Sequence, residues 1–321
     1  MAGRPLKQSA GSEPRVPKRF DILGLGCAAV DDILYVPAYP APDAKVEVRL
    51  RERHCGGLTA TALVAGARLG ARCAFAGVLG DDEDSRFVLE TFRREGIDVQ
   101  HLVRRREAGP IRSVIVVDER RRTRNIFFDA RPARGADARR PAREVILAAR
   151  VLLVDRFGIP GMIRAARLAR RAGIPVVGDF ESRSEPRFEE LLTLTDHLIL
   201  SARFAGELAR VQAPAAAARA LWRGDRAAVV ITCGAEGCWF LDGDRAEPEH
   251  WPACRVRAVD TTGCGDVFHG AYAAGLARGW PLVERLRFAS AAAALKATCH
   301  GGQSGIPELA EVQQFLKNRR P

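Results

Sequence analysis

In the second half of the chain, short runs of consecutive apolar residues alternate with longer segments whose apolar residues recur at helical spacing. The apolar runs at 151–155, 175–180 and 197–200 predict strands, and the segments after the first two, up to residues 172 and 194, predict helices. Strands that are apolar throughout are typical of a parallel sheet covered by helices on both faces. The pattern therefore predicts an α/β fold with functional residues at the carboxyl ends of its strands.

The first half of the chain has a different pattern. Residues 20–26 form another apolar run, and 45–51 alternates apolar with charged residues, which predicts a half-exposed strand. Residues 112–118 and 125–129 flank a basic segment and predict a β-hairpin. Residues 1–19 are polar, contain Pro, Gly and Ser without periodicity, and are predicted to be a disordered tail.

The leading candidate for chemistry is the segment 259–271, VDTTGCGDVFHGA, which joins a predicted strand at 255–260 to a predicted helix. Gly263 and Gly265 permit a tight turn that exposes amide N–H groups at the helix start, where unsatisfied donors and the helix dipole favour an anion. Asp266 follows at once, and its carboxylate could accept a proton from an attacking hydroxyl. These features together predict phosphoryl transfer; the alternative is an ordinary glycine-rich turn between a strand and a helix.

The composition is that of a single large α/β domain, because 321 residues with 47% hydrophobic content suffice for one sizeable core. The 8 cysteines include no CxxC pair and no zinc-like cluster, so we expect reduced thiols in a cytoplasmic protein. Cys264 is an exception, because a helix start can lower the pKa of a thiol. No apolar run reaches the roughly 18 residues of a membrane span, and no membrane association is expected.

The formal net charge is +11, from 50 Lys and Arg against 39 Asp and Glu. Arginine runs such as 104–106 and 120–122 would suit the backbone of a nucleic acid. They fall in predicted turns, however, without interleaved aromatic residues or a recognisable nucleic-acid-binding motif. We therefore predict no nucleic-acid partner and interpret the arginines as a solvated surface that attracts anionic nucleotides.

The segment 260–266, DTTGCGD, followed by Phe268, resembles the carboxyl-terminal signature of the ribokinase-like (PfkB) sugar and nucleoside kinases. The resemblance implies a Rossmann-like three-layer α/β/α ribokinase-like fold over 20–321, with a small β-sheet lid whose strands come from about 44–53 and 111–129. It implies an ATP-dependent carbohydrate kinase that uses ATP and Mg²⁺, with K⁺ as a further candidate cofactor. The catalytic residues it implies are Asp266 as general base and Gly263, Cys264 and Gly265, whose amides form the anion hole; Cys264 replaces the family's alanine.

Two earlier stretches resemble the sugar-binding part of the family. Asp31 stands where a family aspartate holds sugar hydroxyls, and a carboxylate can accept two such hydrogen bonds. Asp32 is the alternative, and a helix-capping role would make neither a sugar ligand. The family has an asparagine four residues after a Gly-Gly turn, where this chain has Thr61, and Leu58 directly follows the turn. The predicted substrate-binding residues are Asp31, Gly56, Gly57 and Thr61.

The nucleotide half of the resemblance lies later in the chain. Residues 232–237, TCGAEG, resemble the family's Thr-x-Gly-x-x-Gly nucleotide turn, although a generic hairpin turn would have a similar composition. Residues 179–183, DFESR, resemble a segment near the phosphates and metal, while the family's Asn-x-x-Glu metal motif is absent. The loop 300–305 resembles one near adenine or a monovalent cation. The predicted nucleotide-binding residues are Thr232, Gly234, Gly237 and Thr262, and the metal candidates are Glu181 and Glu207.

The acceptor is less well defined than the reaction. The amino-terminal half most resembles ketohexokinase, which favours a ketose or a related furanose. A nucleoside kinase is the first alternative, with Phe127 and Phe128 as stacking positions for a base in the lid. The second alternative is a sugar- or nucleotide-sensing protein with weak catalysis, since the family's asparagines and metal motif are missing. Because lid strands form the dimer interface in several family members, a homodimer through the lid strands is also expected.

Overall fold

The computed structural model describes residues 16–121 and 123–318. Of the predicted disordered tail, residues 1–15 lie outside the described residues. Residues 16–19 contact the domain, because Lys18 Nζ donates hydrogen bonds to Leu147 O at 2.9 Å and to Ala149 O at 2.7 Å. The described domain therefore includes residues that precede Phe20.

Strands and helices alternate along most of the chain, as the sequence pattern predicts. The strands are β1 (Phe20–Leu25), β2 (Ala29–Val36), β3 (Leu50–Gly56), β4 (Cys73–Phe75), β5 (Val78–Leu79), β6 (Val103–Arg104), β7 (Ile111–Asp118), β8 (Thr123–Asp129), β9 (Ala149–Val154), β10 (Val176–Asp179), β11 (His197–Ser201), β12 (Ala228–Thr232), β13 (Cys238–Leu241) and β14 (Glu249–Trp251). The helices are α1 (Leu58–Arg68), α2 (Glu83–Arg94), α3 (Arg143–Leu147), α4 (Ile159–Arg171), α5 (Phe188–Thr193), α6 (Ala202–Ala209), α7 (Pro214–Leu221), α8 (Cys264–Ala277), α9 (Leu282–Lys296) and α10 (Leu309–Lys317). Over the part of the chain that the structure describes, no helix has the length and apolar composition of a membrane span.

The core is one large sheet with helices on both faces. Within the described residues, eight strands are ordered β14-β13-β12-β11-β10-β9-β1-β4, parallel from β4 to β12 and antiparallel at β13 and β14. Along β9, Val151 and Leu153 face α1, α8 and α9, whereas Leu152 and Val154 face the layer of α3 to α7. Burial of both faces explains why these strands are apolar throughout, and the predicted three-layer α/β/α fold is confirmed.

One predicted strand of this region is wrong. The runs at 151–155, 175–180 and 197–200 correspond to β9, β10 and β11, but residues 255–260 form no strand. The amides of Val259 and Asp260 both donate to Ala297 O, at 2.7 and 3.2 Å, instead of joining a ladder. The last strand is β14, and the segment between β14 and α8 is irregular. It joins no strand because its amides at 259 and 260 bond to the end of α9 instead.

A second sheet of four strands, which we call the lid, covers the carboxyl ends of β1, β9 and β10. Its order is β3-β2-β7-β8, and the antiparallel pair β7–β8 confirms the predicted hairpin. The strand predicted at 45–51 is misplaced: β3 begins at Leu50, and residues 43–50 are exposed. Although apolar and charged residues alternate in this segment, its apolar side chains pack against no other element of the described residues. In contrast, β3 pairs along its whole length with β2. The sequence analysis did not separate β2 from β1.

We expect the stability to depend on the closed core between the large sheet and its helices. Val230 of β12 is 0% exposed, so Val230→Ala should lower the free energy of unfolding by about 2 kcal/mol, from the lost methyl groups and the cavity they leave. Urea unfolding followed by circular dichroism measures this. The matched control is Val48→Ala, at a position 41% exposed, which should change stability by less than about 0.5 kcal/mol. Equal effects of the two substitutions would contradict the assigned core.

Candidate active site

Two cavities meet at the turn that precedes α8. The first, which we call the acceptor cavity, has a volume of about 510 Å³ and lies between the lid and the carboxyl ends of the large sheet. The second, the nucleotide cavity, has a volume of about 490 Å³ and lies between the 232–237 turn, the 253–258 segment and α9. Thr232, Thr261 and Gly265 line both cavities. A group bound in one cavity can therefore reach a group bound in the other at this turn.

The turn itself is shaped by glycine and by a buried carboxylate. Gly263 precedes α8 with φ 76°, and a Cβ at that position would lie 2.7 Å from Gly302 O, so only glycine fits. Asp260 accepts hydrogen bonds from Thr262 N at 2.8 Å and from Gly301 N at 2.9 Å. The side of Gly265 is open, since a Cβ there would have no atom within 4 Å. Amides at this helix start can thus face an anion, although Cys264 N also makes a long bond of 3.3 Å to Thr261 O.

Asp266 lies in the first turn of α8 and lines the acceptor cavity. Loss of water around its carboxylate, and then the charge of Asp179, raise the pKa of Asp266 well above its usual range, while His269 acts in the opposite direction. His269 itself is buried, with Nδ1 2.8 Å from Gly265 O and Nε2 3.1 Å from Ile199 O. His269 is therefore held by two backbone carbonyls, and its Nδ1 also lies 3.4 Å from Asp179 Oδ2.

At the other end of the acceptor cavity, Asp31 projects from β2 and Gly57 closes the wall. Gly56 permits this arrangement, because a Cβ there would lie 2.0 Å from Asp31 Oδ2. Burial raises the pKa of Asp31 to about 6, although Ser113 and His54 stabilise its charge. The alternative residue, Asp32, pairs with Arg51 at 3.3 Å on the exposed side of the lid. Of the two aspartates, the structure thus brings Asp31 into the cavity.

Thr61 does not line the acceptor cavity, contrary to the expectation from the sequence. It is 2% exposed on α1, and its Oγ1 accepts a hydrogen bond from Gln303 Nε2 at 3.1 Å. Residues three apart share a face of a helix, but only Leu58, at the start of α1, lines the cavity, while Thr61 lies one turn further along and is held by Gln303. The sequence analysis also missed Ser113, which lines the cavity from β7; its place in a predicted lid strand was the one available signal.

Three arginines that line the cavity, Arg124, Arg156 and Arg203, were also missed. Arg124, from β8 of the lid, donates from Nη1 to Thr261 Oγ1 at 2.9 Å and so connects the lid to the glycine turn. Arg156 follows β9 and stacks on Phe157, with its Cζ 4.1 Å from the ring centroid. Arg124 and Arg156 belong to no motif, and each has non-arginine residues on both sides in the sequence. Only the packing of the lid over the sheet reveals that they face the cavity.

The predicted nucleotide-binding residues divide between the two cavities. Thr232, Gly234 and Gly237 line the nucleotide cavity, whose opposite wall is formed by small residues of α9. Gly237 has φ 98°, and a Cβ there would lie 2.1 Å from Trp251 O. Thr262 lines the acceptor cavity instead, with a buried Oγ1 that has no hydrogen-bond partner among the described residues. A buried hydroxyl without a partner is costly, so a bound ligand would satisfy it.

The residues suited to a divalent cation lie beside Asp266. Asp179 and Glu181 line the acceptor cavity, and the buried Asp179 Oδ2 has no hydrogen-bond partner among the described residues. Glu207 lies outside the cavity and pairs with Arg203 at 2.8 Å. No three His, Cys, Asp or Glu side chains of the described residues form a metal-ligand set. The pair Asp179 and Glu181 fits Mg²⁺, because this ion usually takes one or two carboxylates and completes its shell with water and phosphate oxygens.

The thiol of Cys264 differs from the expectation. The sequence predicts a lowered pKa at a helix start, but burial raises the pKa of Cys264 to about 11 against the opposing charge of Lys296. Cys264 lines the nucleotide cavity with its amide at the helix start, so its contribution to the site is its backbone. The eight cysteines are all free thiols.

Comparisons with known proteins agree with this geometry. The model of the pfkB family carbohydrate kinases matches residues 21–309. The chain is 28% identical over 303 residues to a ribokinase of Haemophilus influenzae, covering 92% of this chain and 97% of that protein. It is 30% identical over 290 residues to an aminoimidazole riboside kinase of Salmonella typhimurium, covering 82% and 88% of the two chains.

A solved structure of similar fold is the ribokinase of Arabidopsis thaliana in complex with ribose and ATP. It superposes with a TM-score of 0.79 at 22% identity and covers 94% of this chain and 99% of that one. The family model spans most of the chain, including the lid, the glycine turn and Asp266. The chain therefore belongs to the pfkB family of carbohydrate kinases.

Proposed function

We propose that the chain transfers the γ-phosphate of ATP to a hydroxyl of a carbohydrate, with Asp266 as general base. The observation that supports this most directly is the place of Asp266 and the glycine turn at the junction of the two cavities. The acceptor hydroxyl gives its proton to the Asp266 carboxylate while its oxygen attacks the γ-phosphorus. The new O–P bond forms as the bond to the bridging oxygen breaks, and ADP leaves with that electron pair.

The residues of the acceptor cavity hold the two reactants at the distance this reaction needs. Asp31 accepts hydrogen bonds from acceptor hydroxyls, and Gly57 lets the backbone approach the polyol. The amides of the glycine turn face the transferring phosphoryl group, and Arg124 places a lid guanidinium beside them. Mg²⁺, held by the ATP phosphates together with Asp179 or Glu181, would neutralise phosphate charge. The apolar α9 wall of the other cavity would contact the base of the nucleotide.

The role of Asp266 is tested by Asp266→Asn, which keeps the shape of the side chain and removes the base. We expect kcat to fall by about 100- to 10,000-fold, while ATP still raises the thermal unfolding temperature. Coupled measurement of ADP release over a panel of ketoses, aldoses, sugar acids and nucleosides gives the rates. The control is Asp244→Asn, at an exposed position between β13 and β14, which should leave kcat unchanged.

Two outcomes would contradict this proposal. Undiminished turnover by the Asp266→Asn variant would remove Asp266 from the chemistry. Silence of the unmodified chain on every acceptor, together with stabilisation by ATP or by a sugar, would identify the sensing protein instead.

The pKa values of the site carboxylates predict an acid limit of activity. The pKa of Asp31 is raised to about 6, chiefly by burial, and that of Asp266 is also raised. A raised pKa means that the proton binds at a higher pH than on an ordinary aspartate, so function is present above the raised value and lost as the pH falls through it. We expect kcat/KM for the acceptor to decline about tenfold per pH unit below about pH 6. A flat profile between about pH 5 and 8 would contradict both shifts.

A nucleoside acceptor is a second candidate, which the position of Phe128 and one relative of the chain favour. Phe128 of β8 lines the acceptor cavity, where its ring could stack on a base, whereas Phe127 alternates to the other face and lines no part of that cavity. One of the aminoimidazole riboside kinases shares 30% identity with the chain. Phe128→Ala should raise KM for a nucleoside about tenfold and for a simple sugar much less. The acceptor panel distinguishes the two substrate classes.

We also propose that the outer face of the lid joins two copies of the chain. Val114 and Phe127 are opposite each other on β7 and β8 and are 41% and 55% exposed. An apolar patch at the edge of a sheet is a favourable contact surface for a second copy. Phe127→Ser should shift the chain from dimer to monomer in sedimentation velocity, whereas Val48→Ser should not. An unmodified chain that remains monomeric at high micromolar concentration would exclude this dimer.

A further inference from the structure

One buried charge has no part in the mechanism described so far. Lys296 is the last residue of α9, and its side chain is completely buried, with 0% exposure. Its Nζ donates a hydrogen bond to Asp260 O at 2.9 Å. Asp260 is the first residue of the turn that leads to Asp266. Burial lowers the pKa of Lys296, and the charges of Cys264 and Asp260 oppose this shift. An ammonium thus lies under the glycine turn, with its side chain shielded from water.

The surroundings of this ammonium are the segments that fix the turn. The amides of Val259 and Asp260 donate to Ala297 O, and Gly263 packs against Gly302 O. The Asp260 carboxylate receives Gly301 N, which is also 3.1 Å from Tyr35 Oη of the lid strand β2. Lys296 Nζ therefore lies where the 259–263 turn meets the 297–302 loop, and Asp260 O accepts its hydrogen bond. An ammonium that is buried in this way is stabilised by the oxygen that accepts its hydrogen bond and by the nearby carboxylate.

The charge of Lys296 acts to lower the pKa of groups on both sides of the turn. Burial alone would raise the pKa of Asp260, but the Lys296 ammonium and the amides of Thr262 and Gly301 bring it below its usual value. The same ammonium opposes the burial that raises the pKa of Cys264. The positive potential of Lys296 therefore extends from the carboxylate that fixes the turn to the residue whose amide faces the anion.

The sequence indicated that the loop 300–305 lies near adenine or a monovalent cation, with K⁺ as a candidate. The structure brings this loop against Asp260, but the residues present do not fit a free K⁺ there. A second cation next to a buried ammonium would be repelled, and Asp260 O, an oxygen available to a cation there, already accepts a hydrogen bond from Nζ. An ammonium has the charge of K⁺ and up to three donors for such oxygens.

We propose that Lys296 is a covalently attached replacement for the monovalent cation, so that the kinase holds its glycine turn in place without K⁺. The proposal rests on the proposed kinase function, because its main effect is on the geometry of the turn next to Asp266. Lys296 is a positioning residue in this scheme, since it contacts Asp260 and not the reacting atoms. A merely structural lysine would support folding but would leave no site that a free cation could fill once the side chain is removed.

The first experiment measures ATP turnover by the unmodified chain in K⁺, Na⁺ and choline salts at equal ionic strength, about 0.1 M. We expect kcat and KM for the acceptor to differ by less than about twofold among the three salts. Activation by K⁺ of about tenfold or more over choline would overturn the proposal, because an ammonium already in the site leaves no position for K⁺.

The second experiment removes the charge with Lys296→Met, a substitution of similar length. In choline, kcat should fall at least about tenfold, and K⁺ or ammonium should restore a large part of it with saturation. Lys296→Ala, which leaves more room, should respond to methylammonium as well. The control is Lys317→Met, at an exposed lysine of α10, which should show neither the loss nor the cation response. Loss of activity without rescue by any of these cations in either variant would reduce Lys296 to a structural residue.

A third measurement does not depend on turnover. The thermal unfolding temperature of Lys296→Met should rise with K⁺ relative to choline at constant ionic strength, while that of the unmodified chain should not. If no acceptor is phosphorylated by the unmodified chain, the proposed function fails, and this shift still decides the cation question. Equal responses of the variant and the unmodified chain to K⁺ would overturn the proposal, and so would a variant that cannot be stabilised by any monovalent cation.

Discussion

The site depends on one packing contact, the close approach of the 259–263 turn to the loop that follows α9. The contact leaves no room for a side chain at Gly263, because Gly302 O lies where a Cβ would be. Asp260 holds the two segments together through Thr262 N and Gly301 N, and the nearby charge of Lys296 lowers the pKa of its carboxyl group. If this contact moved, the amides and Asp266 would move with it, since both belong to the start of α8.

The second constraint is the crowding of negative charge in the acceptor cavity. Asp31, Asp179, Glu181 and Asp266 line it together, and burial raises the pKa of three of them: Asp31, Asp179 and Asp266. Four carboxylates so close together repel one another unless a positive charge lies between them. The cavity is therefore suited to bind a cation and to accept the proton of a hydroxyl group. The arginines that line the cavity, Arg124, Arg156 and Arg203, provide part of the compensation. Some of the arginines that give the chain its positive net charge therefore compensate the carboxylates of this cavity.

The two faces of the lid have different surroundings. The residues of β7 and β8 alternate, so that Ser113 and Phe128 face the cavity while Val114 and Phe127 face away from it. One hairpin therefore lines the acceptor cavity with one face and exposes apolar side chains on the other. Through Arg124 and the hydroxyl of Tyr35, the same sheet also contacts the glycine turn and the 297–302 loop.

The sequence by itself determined the parallel sheet, the hairpin of the lid, and the glycine turn with Asp266, because each depends on neighbouring residues whose spacing is visible along the chain. It also placed Asp31, Gly57 and Thr232, whose motifs are short and local. Only the tertiary structure decided that Thr61 turns towards Gln303, that 255–260 is not a strand, that Arg124 reaches Thr261, and that Lys296 lies under Asp260. These contacts join residues that are distant in the chain, and their partners are set by the packing of the lid and α9 on the large sheet, which no local pattern encodes.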